Sequence, residues 1–406
     1  MVKEADALTE MGYEVEVLGR GDLPGMLEQD IFLLKKRKWR LNPIFSRPSI
    51  QGRIIGRGRR YFSHIVFRLF GLESPWQFGP MAAALLKEGR KRDAFLYIAH
   101  SEVGMWAAEQ LRKDGQRVGV DMEDWFSEDL LAEARKNRPI RLLKQLEKNL
   151  LCHGVHSTCT SEAMADALVG AYGCRRPTVI RNVFPFKDRE QLDGKWRDRP
   201  GMTRWMPSND PKAVRPKEAP VSIHWFSQTI GPGRGLETLF QALDGLEGNW
   251  ELHLRGSLEG YEKWLEGVCP AGVRVRLKVR GLVKNEDLLS RIAEHDFGFA
   301  GELSEPPSRN LTITNKFFQY LQAGLSVVAS NTAGQKEAAS EAGGGVGLYS
   351  YGDTDELKSI LNGLIGKSGE LTERRGMAWN AGARLCWENE RTKLVEAINE
   401  AFERKR

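Results

Sequence analysis

"SIHWFSQTIGPGRGLETL", Ser222–Leu239, decides how the chain is read. An apolar run of strand length gives way to a turn holding Gly231, Gly233 and Gly235, and a helical pattern opens at Leu236. Strand, glycine turn and helix in that order aim free backbone N–H groups and the positive end of a helix at one point, where an anion is favoured. Arg234 adds a full positive charge beside them. The glycines alternate instead of following G-x-G-x-x-G, and the next strand closes on Arg255 and Gly256 where a dinucleotide binder carries an acid. A dehydrogenase is therefore disfavoured.

From that stretch outward, strand-like runs and helical patterns alternate with regularity. "WELHLRG", "VRVRLKV", "FGFAG", "SVVAS" and "VGLYS" follow as strands, with helices expected near Glu259–Glu266 and in "NEDLLSRIAEH", "TNKFFQYLQAG", "GQKEAASEA" and "DTDELKSILNGLI". Six strand-helix units in a row predict a parallel sheet with helices on both faces. The first half is less regular. Strands are expected at "YEVEVLG", "AFLYIAH", "RVGVDM", "GVHSTCTS" and "PTVIRN", with a long helix over 130–151. This predicts a second doubly wound domain, 1–184, ahead of the one at 221–370. Between them, 185–220 holds six of the 17 prolines among charged residues, the composition of a linker or flap. The helical stretch 371–406 follows the completed second sheet and is free to cross back. A doubly wound domain opens on a strand and its turn, whereas this chain opens on helix-like "VKEADALTEMG", so either the sequence starts late in the fold or the first strand and its glycine turn are missing.

At 406 residues the chain is too long for one ordinary core. No apolar run approaches a membrane span, and the start has neither the apolar core nor the cleavage site of a secretory signal, which predicts a cytosolic protein. Five scattered cysteines without a CxxC pair argue against a disulfide framework or a zinc site. The net charge of +6 is unevenly placed. From Ile31 to Leu72 there is no acid, but there are eleven lysines and arginines interleaved with seven aromatics. Such a segment suits an anionic membrane surface, a phosphorylated acceptor or nucleic acid, or is simply a solvated loop.

A second cluster stands in "SRNLTITNKFFQYLQAGLSVVASN", where Asn310, Thr312, Thr314, Asn315 and Lys316 gather at a helix start facing the sheet's carboxyl edge. By the rule for open α/β sheets this is an anion and hydroxyl site; the plainer reading makes Thr314 or Asn315 a helix cap. Asp353-Thr-Asp355 has the look of a metal-binding DxD, but Glu356 three residues after Asp353 makes it a capping box.

Together these stretches resemble the donor half of GT-B glycosyltransferases, most closely the retaining family 4 type of bacterial polysaccharide assembly. "NKFFQYLQAGLSVVAS" is similar to that family's "NKxFEYLxAGLPVVAS", and Arg234-Gly235 to its basic-Gly pair. In the first half, "YIAHSEVG" matches a strand ending in a histidine, here His100. "VDMEDWFSE" resembles "YDxHE", with Asp121 and Asp124 matching and Glu123 where histidine is usual, and "VIRNVFP" matches the exit segment through Asn182. The resemblance implies two Rossmann-like domains facing a cleft. A nucleotide-diphosphate sugar binds the second and a glycan or lipid-diphosphate acceptor the first, with retention and with no metal or other cofactor. It implies donor contacts from Gln228, Thr229, Gly231, Gly233, Arg234, Gly256, Glu305, Asn310, Thr314, Asn315, Lys316 and Gln319, and reaction roles for His100, Asp121, Asp124 and Glu302. The chain departs from the family in that the usual arginine before the basic-Gly pair is Gln228 or Thr229, and the two glutamates spaced eight apart fall on Leu311 and Gln319. Glu302 or Glu305 is then left to serve the sugar. The basic segment 31–72 becomes a peripheral contact with an anionic membrane at the inner face of the plasma membrane. The rivals are a sugar-nucleotide epimerase of the same fold, a nucleic-acid binder built on the basic segment, and an inactive relative.

Overall fold

The computed structural model describes residues 1–20, 34, 37–44, 50–79, 81–192 and 220–404. Most of the expected linker, and parts of the basic segment, lie outside the described residues. The chain divides into two units, Met1–Ile180 with Arg391–Arg406, and Arg181–Glu390.

The first unit holds α1 (Val2–Glu10), β1 (Glu16–Arg20), β2 (Arg40–Ile44), α2 (Ile50–Phe70), α3 (Met81–Gly89), β3 (Tyr97–Ala99), α4 (Glu102–Lys113), β4 (Val118–Met122), α5 (Ala132–Arg135), α6 (Ile140–His153), β5 (His156–Cys159), α7 (Glu162–Tyr172) and β6 (Thr178–Val179). The second holds β7 (Val221–Thr229), α8 (Leu236–Leu243), β8 (Trp250–Ser257), α9 (Glu262–Val268), α10 (Ala271–Arg274), β9 (Leu277–Arg280), α11 (Asn285–Ala293), β10 (Phe297–Ala300), α12 (Pro307–Leu311), α13 (Asn315–Ala323), β11 (Ser326–Ser330), α14 (Ala333–Ala342), β12 (Val346–Tyr349), α15 (Thr354–Gly366) and α16 (Ser368–Arg384). The last helix, α17 (Trp387–Glu403), carries the boundary between the units.

In the second unit all six strands pair in parallel, in the order β12-β11-β10-β7-β8-β9. The order reverses direction between β7 and β10, which is the switch point of a doubly wound sheet. One face rests on Ile223, Trp225, Leu252, Leu254, Phe297 and Phe299, covered by α8 and α15; α13 packs on the other through Phe317, Tyr320 and Leu321. Gly298 in β10 receives the Tyr320 ring, since a Cβ there would stand 2.3 Å from it, and the Tyr320 hydroxyl donates to the carbonyls of His224 (3.0 Å) and Phe299 (3.3 Å). These contacts pin α13 to the switch point.

The first unit's strands fall into two parallel sheets, β1-β2 and β3-β4-β5-β6. Val17 and Leu18 of β1 and Tyr97 and Ile98 of β3 are only half-buried. The C-terminal part of α17 completes the unit, with Phe402 against Tyr13 (5.0 Å between ring centroids) and Phe95 (4.7 Å).

Two expectations are corrected. The helix foreseen over 130–151 is two helices, α5 and α6, separated at Pro139, whose ring cannot continue a helix. "VRVRLKV" is not one strand: its first residues belong to α10 and only Leu277–Arg280 pairs, at the sheet's edge, where the alternation of charges reflects exposure. Asp353 caps α15 by accepting the Glu356 N–H at 2.9 Å, as its spacing predicts. All five cysteines are free, and four are buried.

Candidate functional site

At the second unit's switch point two loops meet through backbone alone. Gly235, at φ 75°, ends the turn after β7, and a Cβ there would lie 3.2 Å from the backbone of Gly301, the first residue after β10. That close approach, together with the left-handed conformation, requires glycine. Arg234 next to it is exposed, and Gln228 and Thr229 close β7. Gly231 packs against the Tyr261 ring, and Gly256 stands where β8 passes the carbonyl of Ser227.

Lys316 sits one turn before Tyr320, so the packing that seats the ring also turns Lys316 toward the sheet. Its Nζ donates to Glu302 Oε1 at 3.0 Å and Thr314 Oγ1 at 3.4 Å, and lies 5.7 Å from the Trp225 ring. Glu302 is held by its backbone: its N–H donates to Ser330 Oγ and its carbonyl accepts from the same hydroxyl, both at 2.8 Å, while Gln335 Nε2 donates to Ser330 Oγ at 2.9 Å. Burial alone would raise the Glu302 carboxyl above the usual range, but Lys316, with Thr314 and Arg309, outweighs it and holds the group below. The segment beginning at Gly301 therefore adjoins the glycine turn on one side and Lys316 on the other.

The other expected residues occupy several situations. Thr314 stands at the N-cap of α13 without a side-chain cap bond, which removes the plain capping reading for it, and Asn315 is exposed on the first turn. Gln319 is buried on α13. Asn310 accepts the Ala333 N–H at 3.1 Å, so it anchors the start of α14. Glu305 is exposed. The N–H of Gly233, expected to be free, faces Glu237 Oε1 at 3.4 Å. Sequence reading missed Arg309, whose Nη1 donates to the Gly233 carbonyl at 3.0 Å and whose charge is felt at Glu302. It brings a second cation to the turn from an element 73 residues downstream of Leu236, with no local motif to announce it.

In the first unit, His100 follows β3, Asp121 lies in β4 and Thr158 in β5, so three neighbouring strands present them at one edge. His100 Nδ1 is 3.1 Å from Asp121 Oδ2, and Thr158 Oγ1 donates to Asp121 Oδ1 at 2.8 Å. The imidazole's other nitrogen is 2.8 Å from Glu4 Oε2, a residue no motif marked. Burial would lower the His100 pKa, yet Glu4 and Asp121 together raise it to about 10. His100 is thus an imidazolium at neutral pH, with both ring nitrogens engaged. Asp124 lies half-buried in the turn after β4. Glu4, His100 and Asp121 are also the one grouping of metal-ligand type among the described residues.

The basic segment is partly neutralised within the unit. Arg37 pairs with Asp6, to which Trp39 Nε1 also donates at 2.8 Å, and Arg40 pairs with Glu14 at 2.6 Å. On α2, by contrast, Tyr61, Phe62, Ile65, Leu69 and Phe70 are exposed, flanked by exposed Arg59, Arg60 and Arg68.

No family model and no curated protein sequence matches the chain. Solved structures do. Sucrose-phosphate synthase from Thermosynechococcus elongatus aligns at TM-score 0.66 and 14% identity, over 99% of this chain and 92% of its own. HepE from Anabaena, solved with UDP and also with UDP-glucose, aligns at TM-score 0.65 and 16% identity, over 95% of this chain and at least 99% of its own. WaaG, a glycosyltransferase involved in lipopolysaccharide biosynthesis, aligns at TM-score 0.62 and 13% identity, over 98% and 94%. The architecture is that of the GT-B glycosyltransferases, two parallel α/β units in one chain.

Proposed function

We propose that the chain is a glycosyltransferase whose second unit binds a nucleotide-diphosphate sugar and whose first unit binds the acceptor, a glycan or a lipid-diphosphate-linked glycan. The observation that carries this reading is the Lys316–Glu302 pair beside the Gly235–Gly301 contact, at a sheet's switch point. A departing diphosphate needs fixed positive charge that does not have to reorganise as it leaves. Lys316, Arg234 and Arg309 supply that charge around the turn, and the N-terminus of α8 adds the partial charge of a helix dipole. Glu302 keeps Lys316 in place until a substrate anion competes for it, and then faces the sugar.

In this reading the protein needs no metal to neutralise the diphosphate, and transfer proceeds with retention, the acceptor hydroxyl attacking from the leaving-group face. His100, held cationic at neutral pH by Glu4 and Asp121, acts as a hydrogen-bond donor to an acceptor oxygen that takes the place of Glu4. Asp121, already bonded by His100 and Thr158, is then a positioning residue, and Asp124 orients the acceptor hydroxyl. Gln319 and Glu305 complete the donor pocket toward ribose and sugar. The exposed apolar stripe of α2, rimmed with arginine, supports peripheral attachment to an anionic membrane that presents the acceptor. Among the described residues no helix is long and apolar enough to cross a membrane.

A thermal-shift screen with nucleoside diphosphates and their sugars tests the donor assignment, because a ligand that binds only the native form raises the melting temperature. One nucleoside diphosphate is expected to raise it in the wild type and to lose most of its effect in Lys316→Ala. A screen in which none does so ends the reading. An epimerase of the same fold would convert the sugar nucleotide with no acceptor present, whereas transfer requires one.

A further inference from the structure

The three glycines of the turn after β7 are not required for one reason. Gly233 and Gly235 hold φ 73° and 75°, where any side chain is strained. Gly231 is not among the residues with positive φ, so its backbone would accept another residue. What its missing side chain makes room for is a ring. A Cβ at Gly231 would stand 3.4 Å from Cδ1, Cδ2 and Cε1 of Tyr261 alike, a point above the face of the ring and not beside its edge. Tyr261 thus lies flat on the start of the turn, and Gly231 beneath it is buried.

Tyr261 comes to this place from another element. It follows β8 and immediately precedes α9, whose Leu265 is anchored in the core. Its N–H donates to the Leu258 carbonyl at 2.9 Å, and its carbonyl accepts the Leu265 N–H at 3.0 Å. Trp264 stands perpendicular to it with 6.4 Å between ring centroids, within the range of a favourable edge-to-face pair. The backbone and one face of the ring are held, yet the residue keeps 37% of its surface open.

The place of the ring along the sheet edge gives that open surface a use. In the reading proposed above, the diphosphate lies at the turn and the sugar faces Glu302. Glu302 follows β10 and Tyr261 follows β8, and these strands flank β7 on opposite sides. A diphosphate seated between them has its sugar on one side, so its nucleoside is directed to the side of Tyr261. Tyr351, the unit's other exposed tyrosine, follows β12, beyond β10 and β11 on the sugar's side. Positive charge at the turn and a flat aromatic ring at its β8 end match the two parts of a nucleoside diphosphate, because every base has a face that stacks on an aromatic ring.

We propose that Tyr261 is the stacking platform for the donor's nucleobase, and that it selects nucleotide-linked donors over sugar phosphates that carry no base. This rests on the donor assignment above and adds to it the end of the pocket at which the nucleoside lies.

The test measures dissociation constants of UDP, ADP, GDP, CDP and dTDP by calorimetry on the full chain and on Tyr261→Ala, Tyr261→Leu, Tyr261→Phe, Tyr351→Ala and Lys316→Ala. The nucleoside diphosphate that binds the wild type is expected to bind Tyr261→Ala about ten-fold more weakly, within the range for loss of one base–aromatic stack. Tyr261→Leu keeps an apolar side chain over Gly231 but offers no flat face, and is expected to lose a similar part of the affinity. Tyr261→Phe should restore it, and Tyr351→Ala should leave it unchanged. Because the ring is more than a third exposed, melting temperatures without nucleotide should stay near that of the wild type. Wild-type affinity in Tyr261→Leu would mean that the ring only covers the turn, and overturns the proposal; so does a Tyr261→Phe chain as weak as Tyr261→Ala, or an equal loss in Tyr351→Ala. Binding that Lys316→Ala weakens but that Tyr261→Ala and Tyr261→Leu keep at full strength leaves the donor reading standing and removes this inference alone. If none of the five binds the wild type, both fall together.

Discussion

The two units solve the same architectural problem to different degrees. In the second, β7, β10 and β11 form the middle of one continuous six-stranded sheet, and β10 and β11 are buried along their whole length. In the first, the strands are divided between two sheets, and β1 and β3 keep half-buried apolar side chains. The difference extends to the charged groups each frame holds. Lys316 and Glu302 sit on a closed core that fixes their backbones through Tyr320 and Ser330. Glu4, His100 and Asp121 link α1 to the ends of β3 and β4 through His100, and so act as part of the frame themselves. A rigid apolar frame can carry charge for chemistry, while a divided frame needs some of its charge for cohesion.

The contrast is broken most sharply at Lys316. If its charge serves the reaction, Lys316→Ala lowers kcat/KM by about 10²–10³-fold, the size of effect seen when a preorganised charge donor is removed. It also leaves Glu302 without its partner, and the chain loses stability above the acidic range. Adding Glu302→Gln should restore the melting temperature but not turnover. Turnover that returns with stability would make the pair structural.

Gly298 tests the frame instead of the charge. A Cβ there meets the Tyr320 ring at 2.3 Å, and Gly298→Ala should cost about 3 kcal/mol of stability, the upper end for overpacking a core. At Gly170, on α7 of the first unit, an added Cβ meets nothing within 4 Å, and Gly170→Ala should stabilise by about 0.5–1 kcal/mol. Denaturant titration of both variants measures the difference, and similar midpoints would remove the distinction between the two frames.

His100→Gln probes cohesion in the first unit. The raised folded-state pKa means that its ionisation stabilises the fold fully below the unfolded value near 6.5, and that this contribution fades as pH rises through about 10. Without the cation, Glu4 and Asp121 are left with carboxylate oxygens within 4.8 Å of each other's site. The variant should therefore be less stable by about 2 kcal/mol at pH 6, a partly exposed pair counting for less than a buried one, with the gap closing toward pH 10. A gap that stays constant with pH would mean that the imidazole packs there and its charge does nothing.

What could be read in the sequence follows the same division. The second unit's central strands are buried on both faces, so they appear as apolar runs, and the glycine turn and Lys316 helix sit at fixed offsets from them. Edge strand β9 was misplaced because exposure gives it an alternating charged pattern. In the first unit β2 went unread: Arg40, Asn42 and Pro43 give it no strand signature, and its partner β1 lies 24 residues earlier in register. His100 and Asp121 were legible through their resemblance to a known pattern. Glu4 was not, because nothing local in an amphipathic helix reveals that one carboxylate reaches a histidine 96 positions away. Arg309 and Tyr261 escaped for the same reason, being brought to the turn from separate elements by packing alone.

The surface of α2 gives the smallest effect and the last way to sharpen the contrast. Tyr61, Ile65 and Leu69 recur at helical spacing beside Phe62 and Phe70, and four of these five are at least 67% exposed, whereas the second unit's large apolar runs are inside its sheet. A unit that leaves such a stripe open, rimmed by Arg59, Arg60 and Arg68, has a surface suited to lying in the headgroup region of an anionic bilayer. Replacing Phe62 and Leu69 together with serine removes roughly two side chains' worth of apolar burial, which should lower partitioning onto vesicles containing anionic lipid by about ten-fold or more. Raising salt should weaken the remainder, since exposed charges are screened over shorter distances. The melting temperature should hardly move, because these side chains pack against nothing that the fold depends on. Vesicle binding indifferent to both the substitutions and the salt would show that the exposed apolar stripe belongs to the open construction of the first unit and has no membrane to meet.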